Sequence, residues 1–357
     1  MTKGKVVVAM SGGVDSSVAA ALLKEEGYDV IGVTMRLWTV ETPTAPRFHR
    51  SCCSIESTDD ARQVCQVLDV PYYMLNFERE FQSHVVDYFC AEYAVGRTPN
   101  PCLACNRWLK FDALLQRAMA LGADYIATVH YGRVEECRGE YHLFKADDTA
   151  KDQSYVLYTL TQQELRHLLL PLGNLRKSRV REIAAGLDLV TADKEESQEI
   201  CFIPDNRYRA FLQERITSTP GDIVDRTGTV LGRHGGIGFY TVGQRHGLGL
   251  AAGEARYVTD IDALRNLIVV GPEKELYRSS LIAEDVSYVS GREPREPLRI
   301  SAKIRYRTPE AEALLEPAGD RAVVRFAEPQ RAVTPGQAVV FYRGDEVLGG
   351  GVITASC

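Results

Sequence analysis

The stretch Lys5-Val6-Val7-Val8-Ala9-Met10-Ser11-Gly12-Gly13-Val14-Asp15-Ser16-Ser17 limits the fold more than any other part of this 357-residue chain. A short, wholly apolar run predicts a buried strand, two glycines a tight turn, and Asp15–Glu26 a helix with Val18, Leu22 and Leu23 on one face and Gly27 as its cap. Asp29–Met35 repeats the strand signal. Thr58–Leu68, Glu78–Val95 and Asn106–Leu121 read as helices, and Pro71–Asn76 and Asp124–Val129 as strands. Strand and helix in alternation predict an α/β unit with a parallel sheet.

The character changes near residue 205. Glycine becomes dense from Gly221 to Gly249, and later segments alternate with period two, as in Ala302–Arg307 and Ala338–Tyr342. Three domains are expected: 1–205 around the glycine loop, a small β-rich unit at 206–280, and a barrel-like β domain at 281–357. No run of eighteen apolar residues predicts a membrane span, and the N-terminus has no targeting pattern, so a cytoplasmic location is expected. The net charge of −6 leaves nucleic-acid binding to a local basic patch rather than to bulk charge.

A strand, a Gly-Gly turn and a helix start make an anion site. Glycines let the backbone approach phosphate oxygens, and helix-terminal N–H groups point at them. Ser11, Ser16 and Ser17 add hydroxyls, and Asp15 is assigned to Mg²⁺. No Gly-Lys-Ser/Thr follows, so this is not a Walker A loop, and Gly-x-Gly-x-x-Gly is absent too. The plain alternative is a tight turn with Ser16 as the helix N-cap. As a whole, Ser11–Ser17 resembles the PP-loop of the N-type ATP pyrophosphatases, which cleave ATP between the α and β phosphates.

Nine cysteines in a protein expected in the cytoplasm argue against a disulfide framework. Cys65, Cys90 and Cys137 read as small buried hydrophobes, and the Cys52-Cys53 pair receives no role. Thr98-Pro99-Asn100-Pro101-Cys102-Leu103-Ala104-Cys105-Asn106 is different. It is a proline-framed loop entering a helix, where the helix dipole favours a thiolate. Cys201 lies in Ser197-Gln198-Glu199-Ile200-Cys201-Phe202, near the expected end of the first domain. A basic stretch holds Arg292, Arg295, Arg299, Lys303, Arg305 and Arg307 with Tyr306 interleaved. Gln244, Arg245 and His246 sit in a glycine-rich turn, and both segments suit RNA as well as they suit a solvated strand face.

These motifs in this order make the chain resemble the bacterial tRNA-specific 2-thiouridylases over nearly its whole length. The resemblance rests on Ser11–Ser17, Thr34-Met35-Arg36, Gly96–Asn106, Lys151-Asp152-Gln153-Ser154-Tyr155, Ser197–Ile203, Thr241–Gly249, Arg305-Tyr306-Arg307 and Thr334-Pro335-Gly336-Gln337. It implies an adenine-nucleotide-hydrolase-like first domain. It implies adenylation of the C2 oxygen of a wobble uridine by ATP, followed by sulfur transfer. The tRNAs implied are those for Lys, Glu and Gln, and the sulfur comes from a persulfide carrier protein.

The resemblance assigns Ala9, Met10, Ser11, Gly12, Gly13, Val14, Asp15, Ser16, Met35 and Val129 to the nucleotide. Cys105 becomes the nucleophile and Cys201 the persulfide bearer, and the two end as a disulfide. Asn100, Pro101, Cys102, His130, Lys151, Asp152, Gln153, Arg305, Tyr306 and Gln337 fall to the tRNA. Two departures stand out. Thr128-Val129-His130-Tyr131 carries Val where the family often has Gly. Cys102 stands where some members have Asp, so Cys102, Cys105 and Cys201 could instead ligate a 4Fe–4S cluster that presents the sulfur. Outside this family, the readings left open are another PP-loop ligase acting on a carboxylate, and a non-catalytic iron–sulfur or RNA-binding protein.

Overall fold

The computed structural model describes residues 2–38, 55–194, 200–203, 207–250 and 254–357. Cys52-Cys53 and Ser197–Glu199 lie outside them.

The first unit is a five-stranded parallel sheet. Its strands are β1 (Lys5–Ala9), β2 (Asp29–Arg36), β3 (Tyr72–Asn76), β4 (Tyr125–Ala127) and, after a hairpin taken up below, β7 (Leu168–Leu169), in the order β3-β2-β1-β4-β7. Alternate side chains of a strand face opposite ways, and the apolar run of β1 serves two cores. Val6 and Val8 pack in one cluster with Val18, Ala19 and Leu23 of helix α1 (Val14–Glu25), whereas Val7 joins Phe77, Phe81 and Leu109 on the other face. Gly27 takes a φ of +91° just past α1, the conformation expected of its cap.

Helix α2 (Ile55–Val67) follows β2, and two longer helices span 78–94 (α3) and 101–120 (α4). Gln82–Val86 of α3 and Cys105–Leu114 of α4 are wound one residue wider, as π-helix, a geometry common near functional sites. Helix α5 (Lys177–Gly186) packs beside α1.

The hairpin β5 (Arg133–Cys137) and β6 (Glu140–Phe144) departs from the expected sequence of separate units. It leaves the first sheet and pairs through Leu143 and Phe144 with the last strand of the chain. The central unit has β8 (Gly221–Val224), β9 (Val230–His234), β10 (Tyr257–Asp262) and β11 (Leu267–Gly271), in the order β10-β11-β8-β9. The last unit contains β12 (Tyr277–Tyr288), β13 (Leu298–Lys303), β14 (Ala311–Ala318), β15 (Arg321–Arg331), β16 (Ala338–Arg343) and β17 (Glu346–Ser356). Because β12 pairs with both β15 and β17, these six strands close a barrel around Leu281, Ile300, Leu315, Val324, Phe341 and Ile353. The period-two reading of Ala302–Arg307 holds only to Lys303. The chain turns at 304–308, where Thr308 N–H donates to the Arg305 carbonyl. Among the described residues no helix is long and apolar enough to cross a membrane.

Candidate active site

Strand order reverses at β1, whose neighbours β2 and β4 both lie parallel to it, and in such sheets ligands bind beyond the carboxyl ends at the switch. The Ser11–Ser17 loop leaves β1 there and Thr128–Tyr131 leaves β4 beside it. The two are joined directly, since Tyr131 Oη donates to Asp15 Oδ1 at 2.9 Å. Gly12 has a φ of +67°, in the left-handed region, and a Cβ there would lie 1.9 Å from the Ser57 carbonyl oxygen. Ser16 is not the N-cap. Gly13 is, and the Ser16 and Ser17 hydroxyls donate back to its carbonyl at 3.0 and 2.9 Å. That leaves early N–H groups of α1 for an anion. Ala9, Met10 and Val14 set the loop in the sheet; Met10 N–H donates to Val33 O, and Thr34 Oγ1 to Met10 O. Met35 is buried at the end of β2, and Val129 is half-buried against the α1 side of the core.

Two lysines frame this loop that local sequence pattern did not single out. Lys177, at the start of α5, places Nζ 2.7 Å from both carboxylate oxygens of Asp15. Lys194 Nζ donates to the Gly12 carbonyl at 2.8 Å and pairs with Asp60 of α2. Asp15, expected to hold Mg²⁺, is therefore engaged by an ammonium and a phenol. Mg²⁺ commonly binds through one or two carboxylates plus substrate phosphates, so a single carboxylate suits an ion brought in with a nucleotide.

The thiols are positioned by ordinary local rules. Asn100 caps α4, its side chain accepting from Cys102 N–H at 3.0 Å, and Pro101 fills the first helical position. Cys105 follows one turn later and is buried, while Cys102 is exposed. Protein packed around the Cys102 thiol nevertheless pushes its pKa up, opposed by the charge of Lys110. Cys201 is exposed and tethered by its neighbour Phe202, whose ring meets Phe81, Phe89 and Phe211 edge-on at 5.3–5.5 Å. The three cysteines do not converge as a cluster would need. Among the described residues no group of three or more His, Cys, Asp or Glu side chains is placed to hold a metal; Cys105 is buried, while Cys102 and Cys201 are exposed residues.

Residues assigned to tRNA by resemblance sit where the three units meet. Gln337 Nε2 donates to the Thr98 carbonyl at 2.7 Å, Thr98 N–H donates to Pro335 O at 2.9 Å, and Thr98 Oγ1 reaches Thr241 Oγ1 at 3.1 Å. Motifs about 240 residues apart thus grip the loop that delivers Cys102 and Cys105. Arg305 spans the central unit and the barrel, donating to Val242 O, Ala332 O and Thr334 Oγ1. Asp152 orders its own turn by accepting from Ala146 N, Ser154 N and Ser154 Oγ, and Gln153 Oε1 accepts from Tyr131 N. Lys151 and Tyr306 are half-buried beside them. Tyr306 packs on Tyr155, and burial pushes its phenol pKa up, with Asp152 and Cys102 adding to the rise.

His130 is buried, with Nδ1 2.9 Å from Thr128 Oγ1. Burial holds its pKa well below the usual 6.5, and the charge of Lys110 lowers it further. The folded ring is neutral where the unfolded one gains a proton, so stability is complete above about pH 6.5 and falls below it, by up to about 1.4 kcal/mol per pH unit. A His130→Gln variant is expected to flatten that slope in denaturant melts between about pH 5 and 6.5; an unchanged slope would place the acid sensitivity elsewhere.

Three family sequence models match in succession, described as a tRNA methyl transferase HUP domain over residues 4–205, a tRNA methyl transferase PRC-barrel domain over 209–272 and an aminomethyltransferase beta-barrel domain over 278–353. The tRNA-specific 2-thiouridylase MnmA of Carboxydothermus hydrogenoformans is 55% identical over 354 residues, covering 98% of this chain and 97% of that protein. The chain belongs to the tRNA-specific 2-thiouridylase family. The proteins of the same name from Moorella thermoacetica (54% identical, 97% of this chain and 98% of the relative) and Clostridium perfringens (51%, 99% and 99%) agree along their full length. Sequence reading of this 2-thiouridylase-family chain missed Lys177 and Lys194, and Lys110 beside Cys102 and His130. Nothing in the local pattern marks any of the three.

Proposed function

We propose that this protein is a tRNA 2-thiouridylase, a sulfurtransferase that uses ATP to replace the C2 oxygen of a wobble uridine with sulfur. One observation carries the reading: the phosphate loop and a separately anchored pair of thiols, Cys105 and Cys201, occupy one domain, and the barrel grips the loop bearing the first of them. An adenylating ligase acting on a carboxylate has no use for those thiols, and a non-catalytic RNA-binding protein has none for the phosphate loop.

In the first step the uridine O2 bonds to the α-phosphorus and the bond to the β-phosphate oxygen breaks. Pyrophosphate leaves with the electron pair, and the N3 proton passes to solvent. The loop N–H groups and the Ser11 hydroxyl hold the phosphates, while the Ser16 and Ser17 hydroxyls brace the turn through the Gly13 carbonyl, with Met35 and Val129 near the nucleoside. Asp15 would hold Mg²⁺, which neutralises charge on the phosphates when bound. Asn100, Pro101 and Cys102 face the base. In the second step the Cys201 segment moves to bring its persulfide to Cys105, whose thiolate attacks it. A Cys105–Cys201 disulfide forms, the terminal sulfur departs as sulfide, and sulfide displaces AMP from C2. An external dithiol must then reduce the disulfide. A persulfide carrier supplies the sulfur, and the tRNAs are those of the Lys, Glu and Gln type.

The test is incubation with unmodified tRNA, MgATP and either sulfide or a persulfide donor, followed by nucleoside analysis. 2-Thiouridine together with AMP and pyrophosphate, formed only when tRNA is present, is expected. Folded protein that makes none under either sulfur condition overturns the reading. The RNA complex should also weaken steeply with salt, as phosphate contacts do.

A further inference from the structure

Lys177 has no place in the phosphate-loop motif, yet its position relative to that loop is specific. The residue is 8% exposed, and its ammonium lies 2.7 Å from each oxygen of Asp15, the acidic side chain inside the loop. Its backbone is fixed as well, since Lys177 N–H donates to Asp148 Oδ2 at 2.9 Å. Tyr131 Oη donates to the same Asp15 oxygen, at 2.9 Å, that Lys177 reaches. Across the loop, Lys194 is held by the Gly12 carbonyl and Asp60. Its position is set by groups that ATP does not replace.

A desolvated pair of this kind contributes little net stability, because lost hydration offsets most of the attraction. The Asp15–Lys177 pair nevertheless places a cation at the mouth of an anion loop while cancelling its charge. A polyphosphate entering the loop offers the ammonium a stronger partner. We propose that Asp15–Lys177 is a resting pair opened by ATP: Lys177 transfers its ammonium to the β and γ phosphates and then neutralises the pyrophosphate leaving group. The proposal rests on the adenylation reading above and adds a residue to it. When the bond between α-phosphorus and the bridging oxygen breaks, the electron pair goes to pyrophosphate, and the Lys177 ammonium meets the added charge. Asp15 is then released with its full negative charge for the cation that accompanies ATP. The expected Mg²⁺ role of Asp15 and its observed pairing with Lys177 thereby become two states of one carboxylate.

The test is calorimetric binding of pyrophosphate, α,β-methylene-ATP and AMP to wild type, Lys177→Met, Lys177→Arg and the double variant Asp15→Asn/Lys177→Met, with thermal melts alongside. The double variant removes both charges, so it stays folded even where the single Met variant leaves Asp15 stranded. Lys177→Met and the double variant should lose about 10- to 100-fold in affinity for pyrophosphate and for the ATP analogue while AMP binding is unchanged. Lys177→Arg should recover part of that loss. A purely structural brace predicts equal losses for all three ligands, or none, and either result overturns the proposal. Wild-type protein that forms no AMP with tRNA present removes the adenylation reading itself. Wild-type turnover alongside a Lys177→Met variant with undiminished pyrophosphate affinity removes only the role of Lys177.

Discussion

A Cys201→Ser variant given MgATP and unmodified tRNA is expected to release pyrophosphate in a single turnover and to form no 2-thiouridine. The substitution is nearly isosteric and falls on an exposed position, so the fold should not feel it. What anchors the segment is Phe202, buried among Phe81, Phe89 and Phe211, and that packing is untouched. A serine hydroxyl cannot carry the persulfide, however, so activation proceeds and sulfur delivery stops. Cys105→Ser should divide the reaction at a different point. The protein still accepts a persulfide on Cys201, visible in intact mass as one added sulfur atom, yet cannot release it by thiolate attack. Loss of product by at least about 1,000-fold is expected for both, the scale seen when a nucleophile is removed. Full thiolation by Cys201→Ser with a persulfide donor would show the assignment to be wrong.

The second large effect is expected at Gly12. An alanine there must hold a φ of +67° and put its Cβ 1.9 Å from the Ser57 carbonyl oxygen and 2.6 Å from that carbonyl carbon. Both obstacles are backbone, so no side chain can swing aside. The loop itself must move, taking with it the N–H groups meant for phosphate. A stability loss of about 2–4 kcal/mol and the disappearance of measurable ATP binding are expected. Gly13→Ala is the control for stability. Its nearest contact is Ser11 Oγ at 3.5 Å and its φ of −104° suits any residue, so its melting temperature should stay near wild type. Equal melting temperatures for the two variants would refute the steric argument.

The parts of this molecule legible in the sequence are those written by neighbouring residues. The apolar β1 run, the Gly-Gly turn, the α1 stripe and the Gly27 cap are all set within a few positions, and each lies close to where pattern placed it, whereas α4 begins at Pro101, five residues before the expected Asn106. Lys177 and Lys194 were invisible for the opposite reason. Each meets the loop through a side chain arriving from more than 160 residues downstream, and a single lysine at a helix start or in a turn has no local signature. The 304–308 turn was misread because Ile304 and Tyr306 continue the alternation of the strand before them; their packing, on the barrel core and on Tyr155, decides the conformation. Arg305, Asp152 and Gln337 were legible as important, but the described structure gives Arg305 and Gln337 bonds that hold the units together and Asp152 bonds that order its own turn, uses that residue type alone could not distinguish from phosphate contact.

The β5–β6 hairpin has a consequence for how the chain matures during synthesis. Its partner strand β17 is translated about two hundred residues later, so β6 leaves the ribosome with an unsatisfied edge. His142 and Lys145 wait likewise for Glu346 and the Gly344 carbonyl at the far end of the polypeptide. The nucleotide-binding half therefore cannot complete its hydrogen bonding until translation is nearly finished. Premature termination anywhere before the last strand leaves a sticky ribbon exposed, and such fragments should aggregate or recruit chaperones rather than accumulate as a soluble half-enzyme.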